Sequence, residues 1–192
     1  MKKHIENFYK HIQDSCRDFD KKNFDIEEIN KIVIAGMGGS AIAGLILKDL
    51  FPELEIIVER NYFPNTPIDE STLVIMCSYS GNTEETLSYY DYASRLTDHT
   101  IVLTTGGKLL KKAKSDKIKF QLLPKGYPPR SALGFSLAIL ISIFDKEGIE
   151  NIDFDCLKKF AEESSSEKSE VYAQAKKIHK TIPIIVTEED LS

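Results

Sequence analysis

Short apolar runs recur along this chain and are mostly separated by segments with helical periodicity. The runs occupy residues 31–35, 54–58, 72–77, 100–104 and 117–122, and the helical segments occupy 41–50, 83–96, 108–114 and 131–144. Near-continuous apolar runs are typical of strands covered on both faces, and strands that alternate with helices indicate a parallel sheet. The pattern predicts an α/β fold, namely a doubly wound open sheet of about five parallel strands.

Helical spacing also marks the first twenty residues, where apolar side chains recur at every third or fourth position. These are Ile5, Phe8, Tyr9, Ile12, Cys16 and Phe19. Such a stripe predicts an N-terminal helix that packs against the main domain. The segment 131–144 is apolar nearly all round, so we expect its helix to be buried.

The pattern changes beyond residue 150. Asp153 or Asp155 can cap a helix that continues to Ile178 with a polar middle, which predicts a linker helix. Residues 182–187 look like another strand, either the first of a second, missing or truncated domain, which we favour, or an edge strand of the first sheet. The predicted organisation is a main domain over 1–150, a linker helix over 151–180 and a first strand of a second domain over 181–192.

Composition narrows the class of protein. The 192 residues are 42% hydrophobic and 29% charged, and no apolar run approaches the ~18 residues of a membrane span. Without an apolar signal segment, we expect a cytoplasmic location. The three cysteines are too dispersed for a disulfide framework or a metal site, so we expect reduced thiols and no bound metal. The net charge of −5 disfavours nucleic acid and membrane surfaces as partners, so an anionic ligand must be held by local donors.

A glycine-rich turn follows the first apolar run, with the sequence Gly36-Met37-Gly38-Gly39-Ser40-Ala41. Such glycines let a ligand approach the backbone, and the free N–H groups of the next helix favour an anion. The same residues satisfy the dinucleotide fingerprint Gly-x-Gly-x-x-Ala, and Glu59 stands where a ribose-binding acid is expected. Alternatively, the glycines serve only tight packing between strand and helix.

A second turn follows the third run, with the sequence Ser78-Tyr79-Ser80-Gly81-Asn82-Thr83. Its three hydroxyls precede a helix N-terminus, a combination that suits the oxygens of a phosphate monoester and that a dinucleotide site does not need. Helix capping by Ser80 or Thr83 would explain one hydroxyl but not three. The turn therefore favours a phosphate-binding site.

A third motif, Tyr127-Pro128-Pro129-Arg130, places a permanently charged guanidinium on a stiff loop. It suits stabilisation of negative charge that develops in a reaction, although an exposed ion pair is the alternative. Met37 and Tyr79 are expected to be packing residues. The pair Gly106-Gly107 either helps to admit a ligand or forms an ordinary loop.

Together these three motifs resemble the sugar isomerase (SIS) domain, and more narrowly the N-terminal SIS domain of the bifunctional phosphoglucose/phosphomannose isomerases. The resemblance spans about residues 31–144. It implies that a sugar phosphate is bound by Ser78, Ser80 and Thr83. It also implies that Gly38, Gly39 and Ser40 line the pocket, and that Arg130 stabilises an enediolate intermediate. No cofactor is expected.

Aldose–ketose isomerisation also needs a base and a ring-opening acid. The resemblance implies that these groups come from a second SIS domain, which this chain does not reach. Glu84 and Glu85 fit a helix-dipole role better than a base, and the histidines are expected to be structural or solvated. The four histidines are His4, His11, His99 and His179.

The leading hypothesis is therefore the phosphosugar-binding part of an isomerase that interconverts glucose 6-phosphate or mannose 6-phosphate with fructose 6-phosphate. We expect it to be inactive alone and to work as a homodimer or with a second SIS half. The alternatives are a non-catalytic module that senses a phosphosugar and, less favoured, a dinucleotide-dependent oxidoreductase.

Overall fold

The computed structural model describes residues 4, 6–18, 29–145, 152–164, 166–179 and 181. Within these ranges the chain forms five strands, seven α-helices and one short 3-10 helix, Pro129–Ser131. The strands are β1 (Lys31–Gly36), β2 (Ile56–Glu59), β3 (Thr72–Ser78), β4 (Thr100–Thr104) and β5 (Lys119–Leu122). The α-helices are α1 (Phe8–Asp18), α2 (Gly39–Leu50), α3 (Glu84–Ala93), α4 (Gly107–Ser115), α5 (Leu133–Phe144), α6 (Phe154–Ser164) and α7 (Glu170–Ile178).

The five strands form one parallel sheet in the order β2-β1-β3-β4-β5, which confirms the predicted α/β fold. Strand order reverses between β1 and β3, whose central pair is Val33 opposite Val74. In open parallel sheets, ligands bind outside the carboxyl ends of the strands at such a switch point. The two turns singled out in the sequence, after β1 and after β3, both lie there.

Hydrophobic side chains cover both faces of the sheet. One face packs on α2 and α5, and the other packs on α3 and α4 through buried Tyr89 and Leu109. Helix α5 is buried along most of its length, as its uniform apolarity predicts. The predicted helix 131–144 is divided, however, into the 3-10 turn and α5.

The predicted N-terminal helix is confirmed as α1, which packs on α5. Ile12 is buried in this contact. The helices approach closely at Gly134, where a Cβ atom would lie 3.1 Å from the Cβ of His11. The side chain at position 134 is therefore limited by α1.

Two expectations about elements are wrong. Strand β5 is not covered on both faces, because it is the edge strand and its terminal residues, Lys119 and Leu122, are exposed. The linker segment is two helices rather than one. Residues 166–169 form turns between α6 and α7, and the Ser169 hydroxyl caps α7 by accepting a hydrogen bond from the Tyr172 N–H at 3.1 Å.

The predicted cap of α6 is confirmed, since the Asp153 carboxylate accepts a hydrogen bond from the Cys156 N–H at 2.9 Å. The strand expected at 182–187 lies outside the described residues. In the described ranges, no helix combines the length and apolarity that crossing a bilayer requires.

Candidate functional site

The turns after β1 and β3 touch at the carboxyl edge of the sheet. Gly36 pairs with Cys77 in the strand register, and a Cβ at Gly36 would lie 2.7 Å from the Cys77 carbonyl oxygen. Tight packing therefore explains Gly36. It does not explain Gly38, because no atom lies within 4 Å of the Cβ position there and the residue faces open space. The first turn thus leaves a length of backbone open to a ligand.

Two of the three hydroxyls of the second turn are hydrogen-bonded to each other, and the third bonds to the backbone of the turn. Ser78 is buried, and its Oγ lies 2.9 Å from Thr83 Oγ1 and accepts a hydrogen bond from the Gly81 N–H at 3.1 Å. Ser80 is exposed, and its Oγ accepts from the Asn82 N–H at 3.2 Å. The turn therefore holds one buried hydroxyl, one half-buried hydroxyl and one exposed hydroxyl in a fixed arrangement.

Thr83 occupies the N-cap position of α3, yet its side chain makes no capping hydrogen bond. Its hydroxyl is instead turned to Ser78. The capping explanation is therefore wrong for Thr83. Because no N-cap side chain occupies them, the first N–H groups of α3 remain free of the partner that most helices supply.

The turn after β4 packs directly against the second turn. Gly81 has a φ of +65°, and a Cβ there would lie 1.9 Å from the Gly106 carbonyl oxygen. A Cβ at Gly107 would lie 2.5 Å from the Ser80 carbonyl oxygen. The two backbones are in direct contact, so Gly106-Gly107 holds the second turn in place.

Hydrogen bonds reinforce this contact. The Leu109 N–H donates to the Gly81 carbonyl at 2.9 Å, and the Lys108 N–H donates to Asn82 Oδ1 at 3.1 Å. These bonds use the N-terminal amides of α4. Of these two helices, α3 is consequently the one whose first amides are left for a ligand.

Tyr79 connects the second turn to the third motif. Its hydroxyl donates to the Pro124 carbonyl at 2.8 Å and accepts from the Tyr127 N–H at 3.0 Å. The expectation that Tyr79 is a packing residue is confirmed. The same expectation is wrong for Met37, whose side chain is exposed in the open first turn.

Arg130 lies on the exposed 3-10 turn at the same edge of the sheet. A Cβ at Gly39 would lie 3.6 Å from the carbonyl oxygen of Pro129, so this turn adjoins the first glycine-rich turn. Arg130 forms no ion pair with any residue in the described part of the chain. The alternative of a surface salt bridge is therefore not supported.

In the described contacts, no histidine interacts with the hydroxyls of Ser78, Ser80 or Thr83. His11 is buried, stacks on the Phe135 ring at 4.3 Å and meets the edge of the Tyr127 ring at 4.9 Å. Burial, and then the neighbouring His4, lower the pKa of His11. His99 directly precedes β4, at the opposite, amino edge of the sheet. The expectation that the histidines are structural or solvated is confirmed for His11, which is structural.

Glu59 is the candidate ribose-binding acid of the dinucleotide alternative, but its carboxylate is buried and already partnered. It accepts hydrogen bonds from Asn61 Nδ2 at 3.2 Å and from the N–H groups of Asn65 and Thr66 at 3.0 and 3.1 Å. The carboxylate therefore organises its own loop, which disfavours the dinucleotide interpretation. Within the described ranges, His, Cys, Asp and Glu side chains form no group that could hold a metal ion.

Comparison with curated proteins finds relatives that are named as enzymes of sugar phosphates, although no protein-family model matches this chain. A bifunctional phosphoglucose/phosphomannose isomerase from Caldicellulosiruptor bescii is 38% identical over 177 residues, which cover 85% of this chain and 52% of that protein. A D-glucosamine-6-phosphate 4-epimerase from Sulfolobus acidocaldarius is 34% identical over 161 residues, which cover 83% of this chain and 52% of that protein.

Among solved structures, tagatose-6-phosphate ketose/aldose isomerase from Escherichia coli superposes with a TM-score of 0.64 at 18% identity, over 92% of this chain and 52% of that one. At this identity the likeness is one of fold. The chain spans about half the length of the curated relatives it matches.

Proposed function

Since this chain is a homologue of the bifunctional phosphoglucose/phosphomannose isomerases and has the SIS fold, we propose that it binds a hexose 6-phosphate. In this proposal it forms the phosphosugar-binding part of an isomerase that interconverts glucose 6-phosphate or mannose 6-phosphate with fructose 6-phosphate. The site is the carboxyl edge of the sheet around the turn that contains Ser78, Ser80 and Thr83.

The observation that carries the proposal is the uncapped N-terminus of α3 beside three hydroxyls. Thr83 turns its hydroxyl to Ser78 instead of to the helix amides, so those amides can donate to a phosphate oxygen. A phosphate group accepts many short hydrogen bonds, and the positive end of the helix dipole favours its charge. Ser78 and Ser80 would supply further hydroxyl donors.

Gly38, Gly39 and Ser40 would form the opposite wall of this site. The open space beside Gly38 admits a ligand to the backbone, and Ser40 is half-buried in the first turn of α2. Since the turns after β1 and β3 are in contact, a ligand whose phosphate binds one turn reaches the other with its sugar carbons. Both turns would therefore serve one ligand.

Arg130 would act on the reacting carbons. In aldose–ketose isomerisation a base removes the proton from one of the two adjacent carbons and returns it to the other, through an enediolate. The negative charge of that enediolate exists only during reaction, so a preorganised guanidinium would stabilise the transition state more than the ground state. The exposed position of Arg130 without an ion-pair partner in the described chain leaves it available for this role.

The base and the ring-opening acid are proposed to come from outside the described residues. The carboxylates nearest in sequence to the phosphate turn, Glu84 and Glu85, are in the first turn of α3. Glu85 faces Tyr62, since its carboxylate is the main cause that raises the pKa of the Tyr62 phenol. Both glutamates therefore fit a role at the helix dipole better than the role of the base.

The test is to purify this chain and measure both binding and turnover. Calorimetry should show binding of fructose 6-phosphate, while isomerisation of glucose 6-phosphate and mannose 6-phosphate should stay near the detection limit. Each missing acid or base group lowers the rate by roughly 10²- to 10⁴-fold. Adding the remaining half of a longer relative should restore turnover. Lack of phosphosugar binding by the chain would overturn the proposed function.

A second candidate reaction is 4-epimerisation of an amino-sugar phosphate, favoured by the 34% identical relative with that name. The same phosphate-binding turn would serve it, because the two classes of substrate share the 6-phosphate. Proton NMR of the product mixture distinguishes the reactions. Change of configuration at C4 of glucosamine 6-phosphate would favour the epimerase over the isomerase.

A further inference from the structure

The proposed phosphate site lacks a positive side chain within its own turn. The segment 78–86 contains no lysine or arginine, and it contains Glu84 and Glu85. The whole chain has a net charge of −5. A sugar phosphate carries close to two negative charges at neutral pH, since its second pKa is about 6. A cation from another element would offset the repulsion that this ligand meets.

The side chain of Lys125 lies over the turn that supports the phosphate turn. Its Nζ is 3.8 Å, and its Cε 3.9 Å, from the position that a Cβ would take at Gly106. The carbonyl oxygen of Gly106 in turn touches Gly81, with 1.9 Å to the Cβ position there. Gly106 therefore contacts both the Lys125 side chain and the turn that carries Ser80.

The backbone on both sides of Lys125 is held by Tyr79. The Tyr79 hydroxyl donates to the carbonyl of Pro124, directly before the lysine, and accepts from the N–H of Tyr127, two residues after it. Tyr79 itself stands between Ser78 and Ser80. The same two hydrogen bonds therefore fix the backbone around Lys125 relative to the turn that contains Ser78 and Ser80.

The side chain of Lys125 is exposed and forms no ion pair with a residue in the described part of the chain. A lysine has three donors on a flexible stem and can swing toward a ligand oxygen without breaking an existing bond. No described acidic group competes for it. The backbone of Lys125 is thus held in place while its ammonium group stays free to bind an anion.

We propose that Lys125 is a phosphate-binding residue that supplies the positive charge missing from the hydroxyl turn. The inference rests on the proposed function, since it concerns the same sugar-phosphate site. It assigns the ligand's dianionic phosphate, rather than its sugar hydroxyls, to the region between Lys125 and Ser80. Arg130, on the same loop, would then act on the reacting carbons rather than on the phosphate.

The test compares Lys125→Gln with Lys119→Gln by calorimetry with fructose 6-phosphate. Lys119 is an exposed lysine at the start of β5, so it lies at the amino ends of the strands, away from the site. Its replacement by Gln changes the net charge as much as Lys125→Gln does. Because Lys125 is exposed and solvent screens it, we expect Lys125→Gln to weaken binding about fivefold to tenfold at about 50 mM salt. We expect Lys119→Gln to bind as the wild type does, and Lys125→Arg to retain most of the affinity.

Salt and pH separate a charge effect from a structural one. At about 500 mM salt the difference between wild type and Lys125→Gln should shrink, because screening removes the contribution of the lysine. Raising the pH through the second phosphate pKa, at about 6, should strengthen wild-type binding more than binding by Lys125→Gln. A difference that is independent of both salt and pH would overturn the proposal.

Failure of this inference is distinct from failure of the proposed function. If the wild type binds fructose 6-phosphate and Lys125→Gln binds it equally well at low salt, the assignment of Lys125 is wrong while the site stands. If the wild type does not bind any hexose 6-phosphate, the proposed function is wrong and the lysine assignment falls with it. Melting temperatures of all variants confirm that they are folded.

Discussion

Ser80 and Thr83 differ in exposure but belong to one hydrogen-bonded turn, so each can be removed as a single hydroxyl. Hydrogen bonds to a charged partner contribute roughly 1.5–3 kcal/mol. We expect Ser80→Ala or Thr83→Ala to weaken fructose 6-phosphate binding by about 10- to 100-fold in calorimetry. Ser115→Ala, an exposed serine at the end of α4, is the matched control and should leave affinity unchanged. Affinity equal to the wild type in both Ser80→Ala and Thr83→Ala would contradict the assignment.

Gly81 and Gly126 both have a positive φ, of 65° and 93°, but differ in their surroundings. A Cβ at Gly81 would overlap the Gly106 carbonyl oxygen at 1.9 Å, whereas nothing lies within 4 Å of that position at Gly126. In urea denaturation we expect Gly126→Ala to cost about 1 kcal/mol of the free energy of unfolding, from backbone strain alone. Gly81→Ala should cost at least about 3 kcal/mol, because backbone must also move. Equal losses would show that the two turns do not touch.

At the scale of elements, the contact between α1 and α5 contains a titratable group. His11 is buried between Phe135 and Tyr127, and α5 itself carries no charged residue. The titratable groups that act on His11 are Asp14, on α1, and His4, which precedes α1. Burial, with the nearby His4, lowers the pKa of His11, and Asp14 opposes the shift only in part. The folded protein therefore favours the neutral imidazole.

This shift predicts a pH dependence of stability. A group whose pKa is lowered by folding stabilises the folded state fully above its unfolded pKa, 6.5 here, and this contribution is lost as the pH falls through the folded value. We expect the wild type to lose more free energy of unfolding between pH 7 and pH 5 than His11→Phe does, as measured by denaturant titration. An identical pH profile for the two proteins would show that His11 does not titrate on unfolding in this range.

The helices and strands also show which features of the fold follow from the local sequence and which depend on distant residues. The periods of the apolar positions predicted each strand and helix of the sheet domain, with ends shifted by a few residues. The break between α6 and α7 was missed, because Ser169 accepts a capping bond inside a stretch whose helical spacing continues on both sides. The exposure of β5 was missed because its position at the sheet edge is set by strand order.

At the scale of the whole molecule, α6 and α7 are notable for the apolar side chains that they leave exposed. Phe160 is 68% exposed, Val171 59% and Ile178 53%, and neither helix buries any residue. Large exposed apolar side chains promote association. Sedimentation velocity should show that the isolated chain self-associates with rising concentration, and that Phe160→Lys combined with Val171→Lys reduces this association. Concentration-independent monomers of the wild type would contradict the prediction.

The chain's own pattern was enough to determine the parallel α/β architecture, the buried α5 and the identity of the three turns at the carboxyl edge. These features depend on local spacing, on glycine and proline, and on hydroxyls placed ahead of a helix, all of which are visible within a few residues. The candidate site could therefore be located from sequence. The functions of its individual side chains could not.

The arrangement of these side chains was decided by hydrogen bonds within folded loops and, for Tyr79, by a contact between residues far apart in the chain. Thr83 turns away from the helix it precedes, the Glu59 carboxylate closes its own loop, and Tyr79 reaches Pro124 across 45 positions. Because such hydrogen bonds depend on strand order and on the close approach of backbones, they leave no periodic trace in the sequence. Only the tertiary structure could show that Lys125 lies against Gly106, in the turn that contacts residues 78–83, since nothing in the residues around it indicates which turn of the sheet it will cover.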